Sequence, residues 1–152
     1  MFLGTNKVTL DSKNRITIPT KYRDDLFTDF EGKMVCTIDV QNACLLLYPA
    51  AAWEKIKARI SSLSDFNKAE RTIKRILLGN AHACELDKNG RILMTPSLRE
   101  HANLGKNVVL VGLDNKFEIW DESAWQLEQA TGLEQLQSGE LEFPERLQEL
   151  SI

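Results

Sequence analysis

The side chains best suited to recognition chemistry occur twice, in the same order. Asp11-Ser-Lys13-Asn14-Arg15 lies near the N-terminus, and Asp87-Lys88-Asn-Gly90-Arg91 follows 76 residues later. In each, an acid precedes an arginine by four positions, with a lysine and a turn-forming residue between them. A guanidinium is a planar fork of donors suited to a guanine edge or a phosphate. Lys13 and Lys88 sit on the loop tips, where a point charge could take a phosphate. A plainer reading stands beside this one. Asp11–Arg15 and Asp87–Arg91 could be ion pairs that only shape a turn, since exposed loop pairs are energetically slight. Lys21, Arg23 and Arg99 add positive charge at the start of the helices that follow, and each also reads as an ordinary solvated charge.

Enzymatic chemistry finds little support. There are two histidines, His82 and His101, and no Ser/His/Asp or Cys/His arrangement. Neither G-x-x-x-x-G-K-[ST] nor a strand followed by G-x-G-x-x-G occurs. Cys36, Cys44 and Cys84 lack C-x-x-C spacing, and His82-Ala-Cys84 has no second ligand pair nearby, so neither zinc nor a disulfide framework is expected. The cysteines read as small buried hydrophobes. No cofactor, metal or small-molecule substrate is expected.

The two stretches must be positioned by matching elements. With Asp11 laid on Asp87, Val8 falls on Cys84, Leu10 on Leu86, Ile16 on Ile92 and Ile18 on Met94. Apolar positions match at period two on both sides of the loop, which predicts half-buried strands. Asn14 falls on Gly90, the two residue types that best tolerate positive φ, so SKN and KNG read as one three-residue hairpin loop. A short helix follows in each copy. Thr95 reads as an N-cap with Pro96 at the first helical position, and Pro19 comes one place earlier, so the helices should start differently. Gly32 and Gly105 close these segments. Two more strands follow in each half, MVCTID with CLLLYP and NVVLVG with FEIWD, each ending at a helix entered by Trp53 or Trp125. About 45 residues is too few for an independent core, so the copies should complete each other.

The rest is an insert and a tail. Trp53, Ile56, Ile60 and Leu63 follow helical spacing, and Asn67 to Glu70 is an N-cap signature for a second helix ending at Gly79. His82 falls in the connector that follows. The formal charge of −3 is unevenly spread. Residues 1–112 hold 17 Lys and Arg against 12 Asp and Glu, and residues 113–152 hold 2 against 10. An acidic total therefore does not exclude a nucleic-acid partner, because binding responds to the local field. The last stretch, PERLQELSI, suggests at most a short amphipathic turn or two. No signal peptide and no membrane-length apolar run is visible, which points to a soluble, cytoplasmic protein.

The pattern D-x-x-[GN]-R, followed by alternating apolar residues and Pro, resembles the SpoVT/AbrB-type swapped-hairpin domain. Its tandem occurrence more closely resembles the MraZ family, in DSKNRITIPTKYR, CLLLYP, RILLGNAHACELDKNGRILMTPSLR and LVGLDNKFEIWDESAW. The resemblance implies an α+β, mainly β fold in which two AbrB-like β-barrel halves form one pseudo-symmetric unit. Residues 5–52 and 81–124 would be the repeats, 53–80 a helical connector and 125–152 an acidic C-terminal helix or tail. It also implies a nucleoid-associated transcriptional regulator, a homo-oligomeric ring, that binds double-stranded DNA at short direct repeats upstream of its own operon, the division and cell-wall gene cluster. Asp11, Lys13, Asn14, Arg15, Lys21 and Arg23 would contact DNA, with Asp87, Lys88, Arg91 and Arg99 of the second copy. AbrB-like halves also occur in antitoxins whose tails capture a protein, and a purely structural ring is a third reading.

Overall fold

A computed structural model describes all 152 residues. The first half runs β1 (Phe2–Thr9), β2 (Arg15–Thr17), α1 (Thr20–Phe30), β3 (Lys33–Ile38), β4 (Leu45–Pro49) and α2 (Ala50–Ser61). After α3 (Lys68–Gly79) the series repeats as β5 (His82–Glu85), β6 (Arg91–Leu93), α4 (Pro96–His101), β7 (Asn107–Asp114), β8 (Phe117–Asp121) and α5 (Glu122–Ser138). A single turn, α6 (Glu145–Gln148), follows. Residues Met1–Glu122 form one compact unit and Ser123–Ile152 a second.

The strands are exchanged between the copies. β1 pairs antiparallel with β7, and β5 with β3, so each copy's first strand completes the other copy's sheet. The six-stranded order is β1-β7-β8-β4-β3-β5. Swapping the copies returns the same order read backwards, which is a local two-fold symmetry. Its axis can be located from the register. Ile16 pairs with its own counterpart Ile92, and Leu46 with its counterpart Glu118.

Two expectations are corrected by this topology. The sheet is open, with β1 and β5 as its edges, and does not close into a barrel. β2 and β6 are only three residues long and pair with each other in a separate ribbon. For the same reason β1 and β2 do not form a hairpin ladder. The Asp11 N–H donates to the Arg15 carbonyl at 2.9 Å, and Asp87 to Arg91 at 3.0 Å, after which the strands part. The ribbon is held instead by reciprocal bonds between copies, Ile18 N–H to Gly90 O and Met94 N–H to Asn14 O, both 2.8 Å.

The core follows the period-two pattern. Ile16, Ile18, Ile92 and Met94 of the ribbon segments are fully buried with Leu26, Leu98, Leu45, Leu47, Phe117 and Ile119. Phe2 stacks on Phe117 at 4.5 Å between centroids, and Tyr22 meets Phe117 edge-on at 5.0 Å. The Tyr22 hydroxyl donates to Leu3 O and accepts from Asn6 Nδ2, tying α1 to β1.

Helix starts also differ from expectation. Pro19 caps α1 and Thr95 caps α4, and these positions are equivalent, so both helices begin at the same point of the repeat. Proline satisfies either place because it has no N–H to leave unpaired. Thr95 makes no capping hydrogen bond from its side chain. The helices differ at their ends: α1 closes through Glu31 at φ 56° and Gly32, whereas near the end of α4 the left-handed residue is Asn103 (φ 48°) rather than Gly105. α3 is capped as the sequence indicates, with Asn67 Oδ1 accepting from Glu70 N–H at 3.0 Å. Tyr48, Trp53 and Ile60 form a second apolar cluster beneath α2 and α3, and the Thr37 hydroxyl donates to Leu77 O at 2.7 Å. His82 opens β5 and does not lie in a connector.

Ile92→Ala should destabilise the protein by about 2–5 kcal/mol, the usual range for truncating a buried isoleucine. Its neighbour Leu93 is 54% exposed, and Leu93→Ala should stay within about 0.5 kcal/mol. Urea unfolding of both variants checks the contrast.

Candidate nucleic-acid interface

Each loop is built around an aspartate that faces inward along its own chain. Asp11 Oδ1 accepts from the backbone N–H of Lys13 and of Arg15, both at 2.9 Å. Its other oxygen accepts from Arg15 Nε at 2.9 Å. Asp87 repeats the pattern with Asn89 N–H (2.9 Å), Arg91 N–H (3.0 Å) and Arg91 Nε (2.8 Å). Asn14 and Gly90 take the predicted positive φ, 61° and 74°. The carboxylate thus fixes both the turn and the direction of the arginine.

The copies meet at this point. Arg15 Nη1 lies 4.0 Å from Asp87 Oδ2, so the first arginine spans both aspartates. Arg23, on α1 of the first copy, packs across the second loop: a β-carbon on Gly90 would come within 2.5 Å of its Cδ. Arg23 Nε donates to Ile18 O at 2.6 Å, and Arg99 Nε to the equivalent Met94 O at 3.1 Å. Arg15 and Arg91 are held at their Nε atoms, and their side chains stay 24% and 30% exposed. Lys13 and Lys88 are exposed at the tips. They are not equivalent, because Lys88 matches Ser12 and Lys13 matches Asn89. Asn89, an exposed donor and acceptor on the second tip, is a further member of this surface that the charge pattern does not point to. Its match to Lys13 is the signal that finds it.

Lys21 is the residue that does not join the cluster. Its Nζ sits 4.9 Å above the Tyr22 ring and 3.2 Å from the position a β-carbon on Gly4 would take. Gly4 lies five residues up β1 from its loop end, roughly 17 Å away at strand spacing.

The electrostatics follow from the hydrogen bonds. The Arg15 backbone N–H, then its guanidinium and the Lys13 N–H, hold the Asp11 carboxyl below the ordinary aspartate range against an opposing desolvation. Arg91 and Asn89 do the same for Asp87. Burial pushes the Cys84 thiol up to about 12 and raises that of Cys36, so neither is a thiolate nucleophile at neutral pH.

Two copies of one loop-bearing unit, completed by strand exchange within one chain, define a tandem swapped-hairpin protein. A family model of the MraZ protein, described as antitoxin-like, matches residues 1–76 and 77–138. "Transcriptional regulator MraZ" of Colwellia psychrerythraea is 57% identical over the full length of both chains. The proteins of that name from Pseudoalteromonas atlantica and Escherichia coli are 51% and 50% identical, again over the whole of each chain. The chain belongs to the MraZ family.

Gly90→Ala should destabilise by about 1–3 kcal/mol, because it combines a left-handed backbone with a steric push on Arg23. Asn14→Gly, which spells the first loop as the second, should be nearly neutral. Thermal melts of the pair test this. The lowered carboxyls also set a pH response. Their contribution to stability is complete above about pH 3.9, the ordinary aspartate value. It is lost as pH falls below that, through the folded values. The amide signals of Lys13 and Asn89 should shift together in that acid window in an NMR titration, and in Asp11→Asn the Lys13 response should disappear.

Proposed function

We propose that this chain is a DNA-binding transcriptional regulator in which the two Asp-clasped loops are the contact surface. The observation that carries the reading is the arginine geometry. Arg15 and Arg91 are oriented by carboxylates at the bases of loops whose tips bear Lys13 and Lys88. A held guanidinium can present a fixed fork to a guanine edge, while a mobile lysine suits a phosphate. Turn-shaping and recognition are therefore one arrangement: the aspartate does both. Full-length relatives named as transcriptional regulators support the same class.

On this reading residues 5–52 and 81–124 are the two recognition repeats, 53–80 a helical connector and 125–152 an acidic extension. Asn14, Arg23 and Arg99 complete the loop surface, with Arg15 its principal reader. Lys21, turned toward Tyr22, makes the smallest contribution. The target is a set of short direct repeats upstream of the protein's own gene, in the division and cell-wall gene cluster, and the effect is repression. The working form is a homo-oligomeric ring on the nucleoid. One subunit neutralises few phosphates, so its binding alone is weak and salt-sensitive. A ring engaging several repeats raises effective affinity by about 10²–10⁴ without new contacts. A second reading, a protein-capturing tail, draws on residues 126–152, where Leu127, Leu133, Phe143 and Leu150 are exposed.

The test is fluorescence anisotropy on DNA from upstream of the gene and on a scrambled control, across a salt series. Preferential binding to the native DNA, weakened about 10–100-fold by Arg15→Ala, is expected. Equal or absent binding to both DNAs removes the reading and turns attention to partners of the tail.

A further inference from the structure

The two-helix arm formed by α2 and α3 carries a charge excess that its own packing does not use. Residues 53–78 hold seven Lys and Arg against three Asp and Glu, a net +4 in a chain of −3. All three acids are engaged. Glu54 holds Lys57 at 2.9 Å, Asp65 holds Lys74 at 3.0 Å, and Glu70 accepts from Ser64 N–H at 3.4 Å. Lys68, Arg71 and Arg75 of α3 are exposed and make no close ion pair, although the charge of Arg71 also reaches Asp65.

These three stand at i, i+3 and i+7, one side of the helix. The stripe is about 10 Å long at 1.5 Å per residue, which matches about three nucleotide steps of 3.4 Å along one strand. Beside it a shallow groove of about 350 Å³ is lined by Asp65, Arg71, Lys74, Arg75, Leu78 and Gly79, its one carboxylate, Asp65, already held by Lys74 at 3.0 Å. α2 shares this character in part, with Lys55, Lys57 and Arg59 against Glu54, but α1 and α5 do not. α1 mixes Lys21 and Arg23 with Asp24, Asp25 and Asp29, and the charges of α5 are all glutamate. A merely solvated face ordinarily mixes signs as α1 does.

We infer that the basic stripe of α3 is a second DNA-contact surface, one that grips the phosphate backbone and does not read bases. The inference rests on the DNA-binding reading above. The distinction from the loops lies in how the arginines are held. Arg15 and Arg91 are each clasped by a carboxylate, which fixes their direction and suits base readout. Arg71 and Arg75 have no such clasp, and phosphate needs none, because charge and reach matter more there than direction.

The experiment compares the full chain with Lys68→Gln/Arg71→Gln/Arg75→Gln on native upstream and scrambled DNA, by anisotropy across a salt series. Thermal melts check that the fold is unchanged. The variant should bind both DNAs more weakly by the same factor, leaving their ratio intact. The slope of log K against log salt should shrink by about 2–3, near 0.9 for each phosphate that is no longer neutralised. An unchanged slope and affinity would overturn the inference, as would a weakening confined to the native DNA. Wild-type protein that binds neither DNA would instead sink the parent reading, so the two failures are distinguishable.

Discussion

The contact between Ile16 and Ile92 is the constraint around which the rest is arranged. Both side chains are fully buried, each opposite its own counterpart on the local two-fold axis. Neither β2 nor β6 has any other strand partner. A three-residue strand is far below the length that stands alone, so the ribbon exists only because both copies supply half. The same dependence extends outward. β1 without β7, or β5 without β3, would leave a row of unpaired backbone donors beside an apolar face. Burial and hydrogen bonding therefore both demand the complete pair of copies.

The loops inherit their geometry from this arrangement. The reciprocal bonds from Ile18 to Gly90 and from Met94 to Asn14 fix each loop against the other copy's strand. Arg15 feels Asp87 as well as Asp11, and Arg23 covers Gly90. The charged surface is thus a joint product of the two copies, and its parts are coupled. The copies are similar enough to share a backbone and different enough to present unlike tips, Ser12-Lys13 against Lys88-Asn89.

Much of this is legible in the sequence, and the limits have physical causes. Period-two alternation around Ile16 and Ile92 reveals which faces are buried. It does not reveal the partner, because alternation reports a side of the sheet and says nothing of the strand beyond it. Hence the exchange is visible only through family resemblance, and closure into a barrel is expected where an open sheet forms. Asn14 and Gly90 announce positive φ because few residues tolerate it. The direction taken by a long cation is not legible: Lys21 and Arg23 are two residues apart, yet one lies over Tyr22 and the other over Gly90. The extent of α5 is hidden for another reason. Its Gln, Glu, Leu and Ala are good helix formers, but they show no apolar stripe to follow.

Strand exchange also has a consequence during synthesis. β1 emerges first, and its partner β7 begins at residue 107. At about 5–20 residues per second, roughly 5–20 s separate the two at the ribosome. Through that interval β1 has no strand partner, and Phe2 lacks Phe117, with Tyr22 as its one aromatic neighbour already made. The first repeat cannot fold as a unit while the second is still being made. A nascent chain of this design is thus a transient client for chaperones, and a stalled or truncated one is an aggregation hazard, however stable the finished protein becomes.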